Sequence, residues 1–240
     1  MALAVIVSRA LTGIEAPEVV VETHLGPGLP TFAIVGLPDA EVREAKDRVR
    51  AALNHARFEF PSRRITINLA PADLPKDSSR LDLPIALGIL AASGQLPVAL
   101  LKELEFTGEL SLTGELRPGR GALAMALAAR SAGRALVLPA ANAAEAALAR
   151  GAKILPAGSL LEVCAHLAGV APLAAFCPGA PPAPATFPVD LAEVLGGAVA
   201  FNLLFGLPLL AGALLTGVIV GFILLLEEHK LRNLEMVIIG

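Results

Sequence analysis

Short β-branched runs alternate with breaks in the first third of the chain. LAVIVS, EVVVET and TFAIVG are bounded by Gly or Pro, which predicts three strands. At Asp39 the period changes. Val42, Ala45, Val49, Leu53 and Ala56 recur at helical spacing and leave Arg43, Lys46, Arg48 and Arg50 outside, so DAEVREAKDRVRAALNHA reads as a helix capped by Asp39. RRITINLA then alternates Ile65, Ile67 and Leu69 on one face, a strand with a solvated side. LPIALGILAAS is apolar all round, as a helix buried between layers is.

Further along, EFTGELSLTGELRPG is punctuated by Gly108 and Gly114 and reads as a hairpin or a pair of short strands. ALAMALAARSAG is a helix ended by Gly133, and ALVLP is a strand. NAAEAALARG opens with an Asn-x-x-Glu variant of the capping box; SLLEVCAHLAG opens with the box itself, Ser-x-x-Glu. These elements predict a mixed α/β fold with helices covering a sheet over residues 1–172. CPGAPPAPATFP follows as an extended Pro/Ala linker within 173–189, and residues 190–240 form a third, hydrophobic part.

The apolar fraction of 55% is unevenly spread, and that decides how the third part is read. From Val194 to Leu226 no residue is charged. One helix over this run would be about 50 Å long, too long for a single span. Gly206-Leu207-Pro208 divides it, so a helical hairpin in the membrane is expected, with one kinked span as the alternative. MALAVIVSRALTG has neither a basic leader nor a cleavage site, so no signal peptide is expected. Cys164 and Cys177 form no CxxC pair and four scattered histidines offer no zinc spacing, so no metal site is expected and a reducing compartment is the simpler reading.

Three candidate chemistries stand out. RPGRGALA places Gly119-x-Gly121-x-x-Ala124 between a strand and a helix, a loose match to the dinucleotide fingerprint. The acidic residue that would hold a ribose is missing from the end of LVLP, so a plain tight turn is the better account. No G-x-x-x-x-G-K-[ST] string occurs, so ATP hydrolysis by this chain alone is not expected.

The second candidate is charge. The whole chain carries −3, yet residues 41–80 hold nine basic residues against six acidic ones, a net +3. Arg43, Arg48, Arg50, Arg63 and Arg64 form a candidate phosphate-binding face. The competing reading is a solvated helix laced by Glu41, Glu44 and Asp47. The third candidate is PKDSSRLDLP, where Ser78 or Ser79 could serve as a nucleophile with Lys76 as its base. That requires burial to lower the lysine pKa. A helix entrance capped by Asp82 is the favoured reading.

GLPTFAIVGLPDAEVREAKDRVRAALNHARFEFPSRRITINLAPADLPKDSSRLDLPIALGILAASGQLP, with FTGELSLTGELRPGRGALAMALAARSAGRALVLPAANAAEAAL, resembles the amino-terminal domain of the YifB/ComM family of magnesium chelatase subunit-like ATPases. The resemblance covers roughly residues 2–172 and implies a two-layer fold like the catalytic domain of Lon protease. PKDSSRLDLPIA corresponds to the Lon segment bearing the nucleophilic serine, whose place falls at Arg80. TGELSLTGELRPGRGALAM corresponds to the segment bearing the catalytic lysine, near which stand Leu123, Ala124 and Met125. The resemblance therefore implies a vacated site around Lys76, Asp77, Ser78, Ser79, Arg80, Leu123 and Met125, and no enzymatic activity. Full-length family members carry an AAA+ motor that needs ATP and Mg, assemble as hexamers and drive DNA branch migration during transformation. This chain is expected to need no cofactor of its own. Its expected partners are other copies of itself and DNA, with the amino-terminal domain in the cytoplasm.

DLAEVLGGAVAFNLLFGLPLLAGALLTGVIVGFILLLEEHKLRNLEMVIIG is similar instead to the third and fourth transmembrane helices of NRAMP divalent-metal transporters and the start of the fifth. The change of identity falls at DLAEV, as a gene fusion or an assembly artefact would produce. The resemblance implies a proton pathway for Asp190 and Glu193, but the family's metal ligands lie on first and sixth helices with no counterpart here. A helix cap by Asp190 is the favoured reading of that pair. Residues 194–226 would anchor the chain in a membrane. A residual Lon-type serine peptidase and a transporter fragment are the rival functions to an inert accessory domain.

Overall fold

The structure, a computed structural model, describes residues 3–76 and 79–177 together with Pro208, Ala211, Leu214 and Leu215. Contacts divide the chain into two compact units, Met1–Pro178 and Gly179–Gly240. The hairpin expected over 194–226, and Asp190 and Glu193, lie outside the described residues. Among the described residues no helix is long and apolar enough to cross a membrane.

The first unit is a mixed α/β domain whose elements follow the polarity pattern closely. Strands β1 (Leu3–Arg9), β2 (Glu18–Gly26) and β3 (Thr31–Val35) precede helix α1 (Ala40–His55) and strand β4 (Arg64–Ala70). They form a four-stranded sheet in the order β1-β2-β4-β3. β1 and β4 run antiparallel to β2, while β3 and β4, joined through α1, are parallel. Period-two burial on β2 and β4 points Val19, Val21, Ile65, Ile67 and Leu69 to one face. α1 begins where Asp39, in extended backbone, accepts the Val42 N–H at 2.8 Å.

Helix α2 (Asp82–Ala92) lies against β1, β2 and α1 with all its residues buried. That close approach needs Gly88. A Cβ there would stand 2.3 Å from Thr23 Oγ1 on β2. Gly88→Ala is expected to lower stability by about 1–3 kcal/mol through overpacking, more than the ~1 kcal/mol an alanine gains over glycine inside a helix. Thr23→Ala should recover much of that loss in the double variant, as measured by urea unfolding.

β5 (Leu104–Phe106), β6 (Glu109–Leu110) and β7 (Leu116–Arg117) come next. Only β6 and β7 make the expected hairpin. β5 leaves it to join a parallel sheet with β8 (Ala135–Pro139) and β9 (Ile154–Ala157), in the order β5-β8-β9. Helices α3 (Ala122–Ser131), α4 (Ala143–Ala146) and α5 (Leu160–Leu167) complete the unit. α5 carries half of the predicted capping box: Ser159, the N-cap, accepts from Glu162 N, while the Glu162 carboxylate reaches one residue past the cap and accepts from Gly158 N. Packing continues beyond residue 172, since Leu173 and Phe176 rest on the two hydrophobic cores. Cys164 and Cys177 are free thiols, and burial pushes the Cys164 thiol up to about 12.

Two expected caps are not caps. The Asp82 cap on α2 does not form: a 3-10 turn, Ser79–Leu81, runs straight into the helix and leaves no extended residue to cap from. Asp82 is instead a buried helical residue paired with Arg48. Asn142 stands at φ −92°, ψ −4°, itself helical, and makes no cap on α4.

Candidate functional site

The two segments placed opposite each other by the Lon resemblance do meet. The 3-10 turn before α2 brings Arg80 to the loop before α3, where its Nη1 lies 3.4 Å from the Arg120 carbonyl and 3.9 Å from Met125 Sδ. The meeting is held from beneath by Gly108, which donates to the Arg80 carbonyl at 2.8 Å while its own carbonyl accepts from Leu83 N at 3.0 Å. Between them is a cavity of about 30 Å³ lined by Arg80, Thr107, Gly108, Gly119, Met125 and Asn142, among others. It has room for about two water molecules.

No described serine–lysine pair assembles there. The Ser79 hydroxyl hydrogen-bonds the Glu109 carboxylate, which also faces Arg117 at 3.6 Å. Lys76 is buried and donates its ammonium to the Pro71 carbonyl. Burial lowers the Lys76 pKa, against the pull of Asp73, yet its ammonium is bonded to a backbone carbonyl and not to a serine. Arg80 cannot replace a lysine base, because a guanidinium holds its proton throughout the working range of pH. Asp77 and Ser78 lie outside the described residues. Leu123 donates its backbone N–H to Glu145 and packs its side chain on the second core.

The glycine loop has its own occupants. Asn142 clamps Gly119 from both sides, accepting from its N–H at 2.9 Å and donating to its carbonyl at 2.8 Å. Glu145 accepts from Leu123 N at 3.2 Å, in the first turn of α3. In a dinucleotide site a pyrophosphate would sit at this helix start. A carboxylate there repels one. The Asn-x-x-Glu string thus binds a distant loop, a role that local spacing did not distinguish from a capping box.

The basic face divides. Arg43, Arg50, Arg63 and Arg64 are exposed and, among the described residues, make no ion pair within 4.0 Å. Arg50 stacks 4.8 Å above the Phe60 ring, which in turn packs on Phe32. Beside them an open groove of about 550 Å³ is lined by Leu25, Pro61, Ser62, Arg63, Ser93 and Gln95. Arg48 does not belong with these four. Its Nε and Nη2 grip Asp82 at 2.6 and 3.0 Å, and Nη2 also donates to the Glu41 carbonyl. The helical period left Arg48 near the solvent side, but the fold turns it onto a buried carboxylate. Among the described residues no cluster of His, Cys, Asp or Glu could hold a metal.

Sequence reasoning also missed a buried ion network. Glu105 on β5 is fully buried and receives Arg9 Nε and Nη2 at 2.7 and 2.6 Å and Arg134 Nε at 2.9 Å. Arg134 also binds Glu18. Partners so far apart along the chain leave no periodic signal.

Comparison with known proteins follows the same division of the chain. The family model described as subunit ChlI of Mg-chelatase matches residues 21–142, and the Nramp model, natural resistance-associated macrophage protein-like, matches residues 161–240. The latter range includes most of α5, which packs in the first unit's core. The chain is 51% identical over 169 residues to competence protein ComM of Haemophilus influenzae, covering 70% of this chain and 33% of that protein. It is 47% identical over 169 residues to the uncharacterized protein YifB of Escherichia coli, with the same coverage. It is also 51% identical over 51 residues to the divalent metal cation transporter MntH of Yersinia pestis, covering 21% of this chain and 12% of that one. The chain spans about a third of the length of the ComM and YifB relatives.

Proposed function

The chain belongs to the ChlI family of Mg-chelatase subunit-like proteins, and on that premise we propose that its first unit is a non-catalytic accessory domain of a ComM-like, ATP-driven DNA branch-migration machine. The observation that carries this reading is the Arg80–Met125 contact, made where a Lon-like peptidase would bring its serine and lysine together. In such a machine the domain serves assembly, as one copy in a hexameric ring, and electrostatic contact with DNA. ATP and Mg belong to the motor of the full-length relatives. The exposed arginines Arg43, Arg50, Arg63 and Arg64 supply the DNA contact; Arg48 supports the helix that carries two of them.

The test is a salt titration of duplex DNA binding by the whole chain. Binding is expected to weaken steeply with salt, and Arg63→Ala with Arg64→Ala should reduce the slope of log K against log salt by about two. No affinity at low salt removes the DNA role. A serine-reactive phosphonate probe should leave Ser78 and Ser79 unlabelled, and an adduct at either would restore the peptidase reading.

The identity to MntH over the end of the chain favours a second reading, a fragment of a divalent-metal transporter. Manganese uptake by vesicles containing this polypeptide alone would establish it, and no uptake is the expected result.

A further inference from the structure

Leu173 donates its backbone N–H to His166 Nδ1 at 3.0 Å. An imidazole nitrogen that accepts cannot carry a proton, so His166 is neutral with its hydrogen on Nε2. This bond sits in the middle of a strap, residues 171–177, that follows α5. At its start Val170 and Ala171 both donate to the Ala165 carbonyl, at 2.9 and 3.2 Å. The Leu173 side chain reaches the first hydrophobic core. Towards its end Phe176 donates to the Ile154 carbonyl at 2.9 Å, and its ring packs on the second core.

We propose that His166 is a pH-sensitive latch: a proton taken up at Nδ1 breaks the Leu173 bond and loosens the strap through which the domain continues into the rest of the chain. A protonated Nδ1 would face the Leu173 N–H donor to donor, so release follows from the geometry.

Burial, and then the Lys153 ammonium at the β9 side, lower the His166 pKa below its usual value. On α5 itself Glu162 lies one turn earlier, but its carboxylate is turned to Gly158 N and Ser159. A histidine whose folded pKa is depressed holds the strap fully above its unfolded pKa of about 6.5 and lets go as pH falls through the folded value. The latch is therefore closed at neutral pH.

Hydrogen exchange of the whole chain, read by mass spectrometry on peptides covering residues 170–177 and corrected for intrinsic rates, tests this. Protection there should fall about three- to tenfold between about pH 7.5 and about pH 5, the equivalent of one hydrogen bond. His166→Asn keeps an acceptor that does not titrate, so its protection should stay level with pH. His166→Ala should show the lower, acid-side protection at both pH values. Peptides from β2 serve as the control and should not change. A flat wild-type profile, an Asn variant that follows the wild type, or parallel loss in β2 would each overturn the latch.

Discussion

Glu105→Ala is expected to lower the unfolding free energy of the first unit by about 3–5 kcal/mol. The carboxylate is fully buried and answers two guanidiniums, so its removal strands charge inside the domain. The two arginines differ in what they can do next. Arg134 keeps Glu18 as a partner and has a side chain 23% exposed, so it can turn toward water. Arg9 has a side chain only 9% exposed and retains the Ala16 carbonyl and a distant Glu18. Most of the loss should therefore come from Arg9. Glu105→Leu combined with Arg9→Met removes both buried charges together and should recover a large part of the stability. The chain has no Trp or Tyr, so urea unfolding followed by far-ultraviolet circular dichroism is the measurement. A loss below about 1 kcal/mol for Glu105→Ala would show that the network does not hold the two sheets together.

Arg48→Ala is expected to cost about 3 kcal/mol at pH 8 and much less at pH 5. Burial raises the Asp82 pKa to about 6, while the bonds from Arg48 and Leu110 N hold it back from going higher. Asp82 titrates near 3.8 when unexposed to the fold, so the folded chain binds its proton more tightly. The stability this group contributes is complete below that lower value and is lost as pH rises through about 6. Without Arg48 the folded pKa climbs further and the loss continues to higher pH. The gap between variant and wild type thus opens above about pH 6 and narrows below it. Equal losses at both pH values would mean that Asp82 is not the partner that matters.

The fold was legible where burial has a short period. The alternation in RRITINLA, the helical spacing from Val42 to Leu53 and the unbroken apolar run of α2 each report one local environment. The cap at Ser159 was legible because both partners lie within one turn. β9 was missed because ILPA is short and carries Pro156, a residue that ordinarily argues against a strand. β5 was not told apart from the hairpin or strand pair read over EFTGELSLTGELRPG, because nothing in EFTGEL tells which sheet its first residues join. The candidate site was harder still. Arg48, Asn142 and Glu145 find partners 34, 23 and 22 residues away. Only the tertiary fold chooses such partners, and each side chain has a respectable local role that it does not play.

β8 sends alternate side chains in opposite directions: Ala135 and Val137 enter the first core, Leu136 and Leu138 the second. One strand is thus the party wall of both rooms. Neither half can come apart while the other stays intact, because withdrawing β8 opens both at once. Heating or denaturant should take the domain apart in a single cooperative event, and a lesion in β8 would be felt equally on its two sides.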